Sequence, residues 1–184
     1  MPLEEMKAYL VTRGAHYRGN LVYSDAPAAA RPRLLDFLNS RARARNPADQ
    51  KGFGILRMDE VEMLVLEGNS RVSKTCPTVS VALSAVIVAF DMPRPRSSSA
   101  PAAVTYEKRM AQTVERVVVL TRSRHRLIGS VHGGIKRLGV RSPDEQFIAM
   151  TDVTLEDLSS DAGGSTQLPF VALNMDFFES FWAD

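Results

Sequence analysis

At 184 residues, the chain is long enough for one ordinary domain or two small ones, and 45% hydrophobic with 24% charged residues are globular values. A net charge of +2 gives no argument from charge alone for a nucleic-acid protein. The one cysteine, Cys76, excludes an internal disulfide framework and a cysteine-based metal centre.

The charge is uneven. Residues 1–100 carry four more basic than acidic residues, and residues 101–184 carry two fewer. Arginine outnumbers lysine, which fits a GC-rich bacterial genome better than selection for bidentate anion contacts. The opening MPLEEMKAYL has early acids and no apolar h-region, so it is not a signal peptide. The longest apolar run, VSVALSAVIVAF (79–90), is broken by serine and too short to cross a bilayer. These features predict a cytoplasmic protein with no membrane insertion.

In chain order, the first element is a β-hairpin. Tyr9 and Val11 alternate with polar residues, a basic turn follows, and the chain returns through Gly19-Asn20-Leu21-Val22. The returning glycine marks a bulge or sharp bend. ARPRLLDFLNSRARAR (30–45) places Leu34, Leu35 and Leu38 at helical spacing, predicting a short helix over about 33–44. Its trailing arginines Arg41, Arg43 and Arg45 complement the helix dipole. FGILRMDEVEM (53–63) sets Glu60 and Glu62 against Val61 and Met63, the period of a half-buried strand. The 79–90 run reads as a strand apolar on both faces, one buried on both. DMPRPRSSSAPAAV (91–104) is rich in proline and serine and reads as a linker.

A second hairpin follows, with Val117 and Val119 in its first strand and Gly129 in its second. GGIKRLGVRSPDEQ, with its Gly-Gly and Ser-Pro, predicts a loop where the first half has a helix. FIAMTDVTLED (147–157) is a strand, SSDAGGSTQ (159–167) a loop, and FVALNMDFFESF (170–181) the closing strand pair. The chain thus repeats itself. LVTRGAHYRG matches VLTRSRHRLIG, FGILRMDEVEM matches FIAMTDVTLED, and VSVALSAVIVAF matches FVALNMDFFESF through a shared Val-Ala-Leu. Ordered matches with loops of different length between them describe a duplicated domain, too long in period for a solenoid.

On these residues each half resembles a small Sm-like barrel. RLLDFLN (33–39), FIAMTDVTL and PFVALN (169–174) are similar to segments of an uncharacterised bacterial domain family. The first half keeps the RLLDFLN element, and the second keeps the other two. The resemblance implies a mainly β fold of two tandem, partly open barrels with one short helix in the first. The domains would be 1–90 and 111–184, joined by a linker over 91–110. The family has no defined activity, so no site residue is carried over.

The chemistry-bearing residues form no recognisable catalytic set. Asp59, Glu60 and Glu62, and Asp152, Glu156 and Asp157, read as solvated strand faces. His16, His125 and His132 lack helical spacing and a nearby cysteine, so no metal site is expected. Cys76 has Lys74 nearby, but Pro77 places it in a loop without a histidine. There is no Gly-x-Ser-x-Gly elbow and no phosphate-binding glycine motif. RARAR (41–45) lacks the Asp/Asn-x-Ser-x-x-Gly segment that the cyclic-dinucleotide-binding PilZ family would require.

The expectation is a non-enzymatic adaptor or assembly protein without a cofactor. Its partners would be proteins, a second copy of the chain among them, because unpaired strand edges template pairing. The interface candidates are Val81, Leu83, Val86, Val88, Phe178, Phe181 and Trp182. The alternative is RNA or single-stranded DNA binding through the two basic tips, Arg13, His16 and Arg18 in one and Arg122, Arg124, His125 and Arg126 in the other. Tyr17 is the only aromatic in either tip, which leaves little for bases to stack on. If the repeat places His16 and His125 in equivalent turns, they sit apart unless the copies dock tip to tip.

Overall fold

Alternation of apolar and polar residues dictates strands along most of the chain, and strands are what form. The computed structural model describes residues 4–23, 33–43, 54–67, 70–91, 113–140, 145–158 and 164–184. In the first half, β1 (Glu4–Val11) turns back as β2 (Ala15–Tyr23). β2 pairs with β3 (Ile55–Glu67), and β3 with β4 (Ser70–Ala82). β5 (Val88–Asp91) then returns to the open side of β1. In the second half, β6 (Val114–Thr121), β7 (His125–His132), β8 (Phe147–Asp157), β9 (Ser165–Asn174) and β10 (Phe178–Ala183) repeat those pairings one for one. A short 3-10 turn, Leu83–Ala85 or Met175–Phe177, separates the last two strands of each half.

The halves join where β5 pairs with β9, Val88 opposite Leu173 and Ala89 opposite Ala172. All ten strands therefore form one antiparallel sheet, in the order β10-β6-β7-β8-β9-β5-β1-β2-β3-β4. Its end strands, β10 and β4, do not pair with each other. Among the described residues no helix is long and apolar enough to cross a membrane.

A three-strand signature fixes the register of the repeat. On β2 the pairing slips at Gly19, between Arg18 and Asn20, and on β7 it slips at Gly129, between Ile128 and Ser130. Each slip faces an acid held at positive φ, Glu60 at 54° and Asp152 at 53°. Each acid faces a proline on the next strand: Pro77 lies between Cys76 and Thr78, Pro169 between Leu168 and Phe170. A bulge needs one unpaired residue and a strand that can bend, and a proline fits where the ladder asks for no donor.

This register corrects the matches made on sequence. Glu60-Val61 overlays Asp152-Val153, so FGILRMDEVEM is displaced by two residues from its proposed alignment. The two Val-Ala-Leu triplets are not equivalent either, because the residue preceding each 3-10 turn is Ala82 in one half and Asn174 in the other. A slip of two preserves the in/out alternation of a strand, so periodicity could not expose it.

The predicted helix forms as α1 (Leu34–Arg43), with Leu34, Phe37, Leu38 and Ala42 buried along one stripe. Arg45 lies outside the described residues. The predicted loop after β7 instead contains a helical turn, α2 (Lys136–Gly139), because Leu138 is buried in the second core. The 79–90 run is not one strand. It ends β4, makes the 3-10 turn and begins β5. Only Val86 to Ala89 are buried as a continuous run. Of SSDAGGSTQ, Ser165–Gln167 belong to β9, and 159–163 lie outside the described residues. Asp91 belongs to β5, and the rest of the predicted linker, 92–110, also lies outside them.

Among the described residues two apolar clusters form the core, and each borrows across the junction. The first contains α1 and the first-half strands, together with Phe147 and Ala172 from the second half. The second takes Val11, Ile87 and Val88 from the first half. The halves are bound by shared core as well as by strand pairing.

Candidate functional site at the junction of the halves

The hairpin tips are built alike. Thr12 closes the first, its Oγ1 donating to the Ala15 carbonyl at 2.8 Å and accepting from the Ala15 amide at 3.2 Å. Thr121 closes the second against His125, accepting from its amide at 3.1 Å. The second tip is therefore one residue longer. His125 is the structural counterpart of Ala15, not of His16, and a one-residue shift exchanges the faces of a strand. His125 is consequently turned inward and only 5% exposed, while His16 is half-buried.

The tips meet. Arg13 Nε lies 3.4 Å from Ser123 Oγ, and the Arg13 guanidinium sits over the Phe177 ring, 5.6 Å from its centroid. The His16 and His125 rings are 6.4 Å apart, centre to centre. The Tyr9 hydroxyl is 3.0 Å from His16 Nδ1, and Tyr9 stacks on Phe90 at 4.8 Å. Arg71 of β4 crosses to Asp157 of β8 at 2.6 Å. The sequence allowed this docking as one of two arrangements, and the extra residue in the second tip was the signal that the histidines differ.

Charges at the tips fall into two groups. Arg18 pairs with Glu62 at 3.8 Å, and Arg126 Nε donates to Glu156 at 2.7 Å. Arg13, Arg122 and Arg124 are exposed, and among the described residues none of them has a carboxylate partner. The docked tips thus gather three uncompensated guanidiniums from both halves. Arg124 is held at φ 62°, the left-handed region that a tight turn demands.

Burial holds both histidines below the ordinary histidine value. His16 is lowered further by His125 and Arg71, with Asp157 opposing. For His125, Asp157 and the Ser123 backbone oppose burial, and Arg71 adds to it. Neither ring nitrogen of His125 finds a partner in hydrogen-bond geometry, which is unusual for so buried a polar group, although the Ser123 backbone lies close enough to favour the charged ring. No group of three or more metal-ligating side chains exists among the described residues. Asp59 is held below the usual carboxylate range by the Thr78 hydroxyl, with Arg57 helping.

The interface candidates divide. Val86 and Val88 lie at the β5·β9 junction, and Val88 belongs to the second core. Val81 and Leu83 are buried in the first core. Phe178 and Phe181 pack on the second core, 6.2 Å apart, and Trp182 of β10 is 44% exposed. Sequence reasoning missed Asn39 and Asn174. Asn39, buried on α1, brackets the start of β8, donating to the Phe147 carbonyl at 2.9 Å and accepting from its amide at 2.8 Å. Asn174 donates to the Val86 carbonyl at 2.8 Å.

The free ends of the sheet correspond to the two sides of that junction. β10 is to the second half what β5 is to the first, and β4 is to the first what β9 is to the second. Ile55 opens β3 as Phe147 opens β8, but Ile55 is 54% exposed where Phe147 is covered. No protein-family model, curated protein or solved structure matches the chain.

Proposed function

We propose that the chain is a non-enzymatic assembly protein made of two Sm-like units, which extends its own sheet by pairing with further copies. The observation that carries this reading is the β5·β9 junction. One inter-unit pairing is already made inside the chain, and the two strands that would make the next one are at the open ends of the sheet. β10 of one copy would lie on β4 of another. Transferring the internal register sets Ser180 opposite Val81 and Phe181 opposite Ser80. Lys74 and Pro77 blunt the middle of β4, leaving Val79–Ala82 as the stretch that pairs. Such a head-to-tail contact closes into a ring or runs into a filament.

Light scattering over a range of concentrations tests this. The mass should rise in whole multiples of 20.3 kDa. Ser80→Lys with Ser180→Lys, both at exposed positions, should hold the protein at one unit, because a lysine on each free edge strand opposes edge-to-edge pairing. A wild-type mass that stays monomeric throughout rejects the reading.

A second reading is favoured by the meeting of the tips. Arg13, Arg122 and Arg124 present one composite cationic surface suited to the phosphates of RNA or single-stranded DNA. Anisotropy of a labelled single-stranded RNA should show binding that weakens steeply with salt. Replacing the three arginines with alanine should weaken binding alike for all sequences and flatten the log–log salt slope by about 2. No binding at low salt removes this reading.

A further inference from the structure

His125 is buried with both ring nitrogens unpartnered, in contact range of a second imidazole that belongs to the other half of the molecule. Nothing in the assembly or phosphate readings uses it. A buried polar group left without a partner destabilises a fold unless something offsets it. A neutral imidazole can pack between the tips as an apolar plate, a role closed to it once charged.

We propose that His16 and His125 form a proton-operated latch between the two halves: neutral, they let the hairpin tips dock, and protonated, they drive the tips apart. The groups around the pair explain why charge is poorly tolerated. From β1, the Tyr9 hydroxyl occupies His16 Nδ1. From β4, Arg71 adds a positive charge. From β8, Asp157, directly cross-strand from His125, favours protonation and also holds Arg71 at 2.6 Å. Arg18 and Glu62 reach Tyr9 and answer each other. Arg13 stands at the mouth of the contact, on Ser123 and Phe177. Two imidazolium rings at 6.4 Å would repel each other and Arg71, against the pull of Asp157 and the Ser123 backbone.

The sign follows from linkage. Both histidines prefer the neutral form in the fold more than in the unfolded chain. With the buried contact between the tips as the site of that preference, docking on the proposed latch is complete above the ordinary histidine value of about 6.5. It is lost as pH falls below that value toward the lowered ones, because the open form binds more protons. This places the opening in the acid range, where His is the residue that titrates.

The test uses the full chain with Cys76→Ser and spin labels at Gly14→Cys and Arg122→Cys, one in each tip. A Cβ at Gly14 meets nothing within 4 Å, and Arg122 is exposed. Between about pH 7.5 and about pH 5 the inter-label distance should lengthen and broaden. The change should follow the titration of His125 seen by NMR, with β7–β8 amide protection retained. In His16→Phe, which keeps a ring against Tyr9 and cannot charge, the change should shrink by more than half. A distance that stays fixed while His125 protonates overturns the latch, as does a His125 that titrates only with global unfolding. Equal opening in His16→Phe overturns the role of the pair. Should that variant fail to fold, the wild-type distance and titration together still decide.

Discussion

Asn174→Ala should lower the stability of the chain by about 3 kcal/mol, with the loss concentrated at the junction of the halves. Asn174 is fully buried, and its side chain serves both sides. Nδ2 donates to the Val86 carbonyl at 2.8 Å, and Oδ1 accepts from the Asp176 amide at 3.0 Å. Its own amide donates to the Ile87 carbonyl at 2.9 Å. Alanine keeps the last bond and removes the other two together with the 3.5 Å bond that Gln146 Nε2 donates to Oδ1, stranding the Val86 carbonyl in a buried interface, where each unsatisfied group costs about 1–3 kcal/mol. Only two residue pairs make the β5·β9 ladder, so beside the shared core the Asn174 bonds are a large part of the polar junction. Denaturant titration would give the total. Hydrogen exchange would locate it, with protection lost at Val88, Ala89, Ala172 and Leu173 while the β3–β4 ladder stays protected. A loss under about 1 kcal/mol, or one spread evenly over both halves, would show that shared core rather than the amide clamp holds the halves together.

The contrast between Asn174 and its counterpart Ala82 shows where sequence reading stopped. Hydrophobic alternation made the strands, the hairpins and the α1 stripe legible, because burial on one face writes itself into every second residue or every third and fourth. The repetition of strands between the two halves was legible for the same reason. Its register was not, because period-2 patterns match equally well after a slip of two. Gly19 with Glu60 and Pro77, against Gly129 with Asp152 and Pro169, was the signal that fixes it. Those residues are far apart in sequence and meaningful only once three strands are side by side. The same holds at the tips. Arg13, His16, Arg122 and His125 were visible as a basic, histidine-bearing pattern, but their meeting depends on β5 pairing with β9. The buried character of His125 depends on a single additional turn residue. Asn39 and Asn174 carried no sequence signal, since an asparagine that reads the backbone of a neighbouring unit looks like any polar residue before the neighbour is known.

The bulge signature makes a prediction with two opposite signs. Gly129→Ala should destabilise the protein by about 2–3 kcal/mol, because its Cβ would lie 2.8 Å from Val153 Cγ2 and 3.0 Å from the Thr151 carbonyl. The carbonyl belongs to the β8 backbone, and β8 is paired on both sides, so it cannot withdraw without loosening a ladder. Gly19→Ala should behave alike, its Cβ falling 2.9 Å from the Asp59 carbonyl. The acid across from Gly129 should respond the other way. Asp152 is exposed and sits at φ 53°, and glycine there relieves about 1 kcal/mol of backbone strain. The larger backbone freedom of glycine in the unfolded chain offsets part of that. Asp152→Gly should therefore be neutral to slightly stabilising, whereas glycine inside an ordinary strand weakens it. Gly14→Ala, with open space around its Cβ, is the control and should change stability by less than about 0.5 kcal/mol. Thermal or denaturant unfolding of the four variants decides the matter. A tolerated Gly129→Ala, or an Asp152→Gly that costs as much as a strand glycine, would mean that the paired slips are not what sets the bend of each half. A loss at both glycines with none at Asp152 would tie the bend at both slips to the same device.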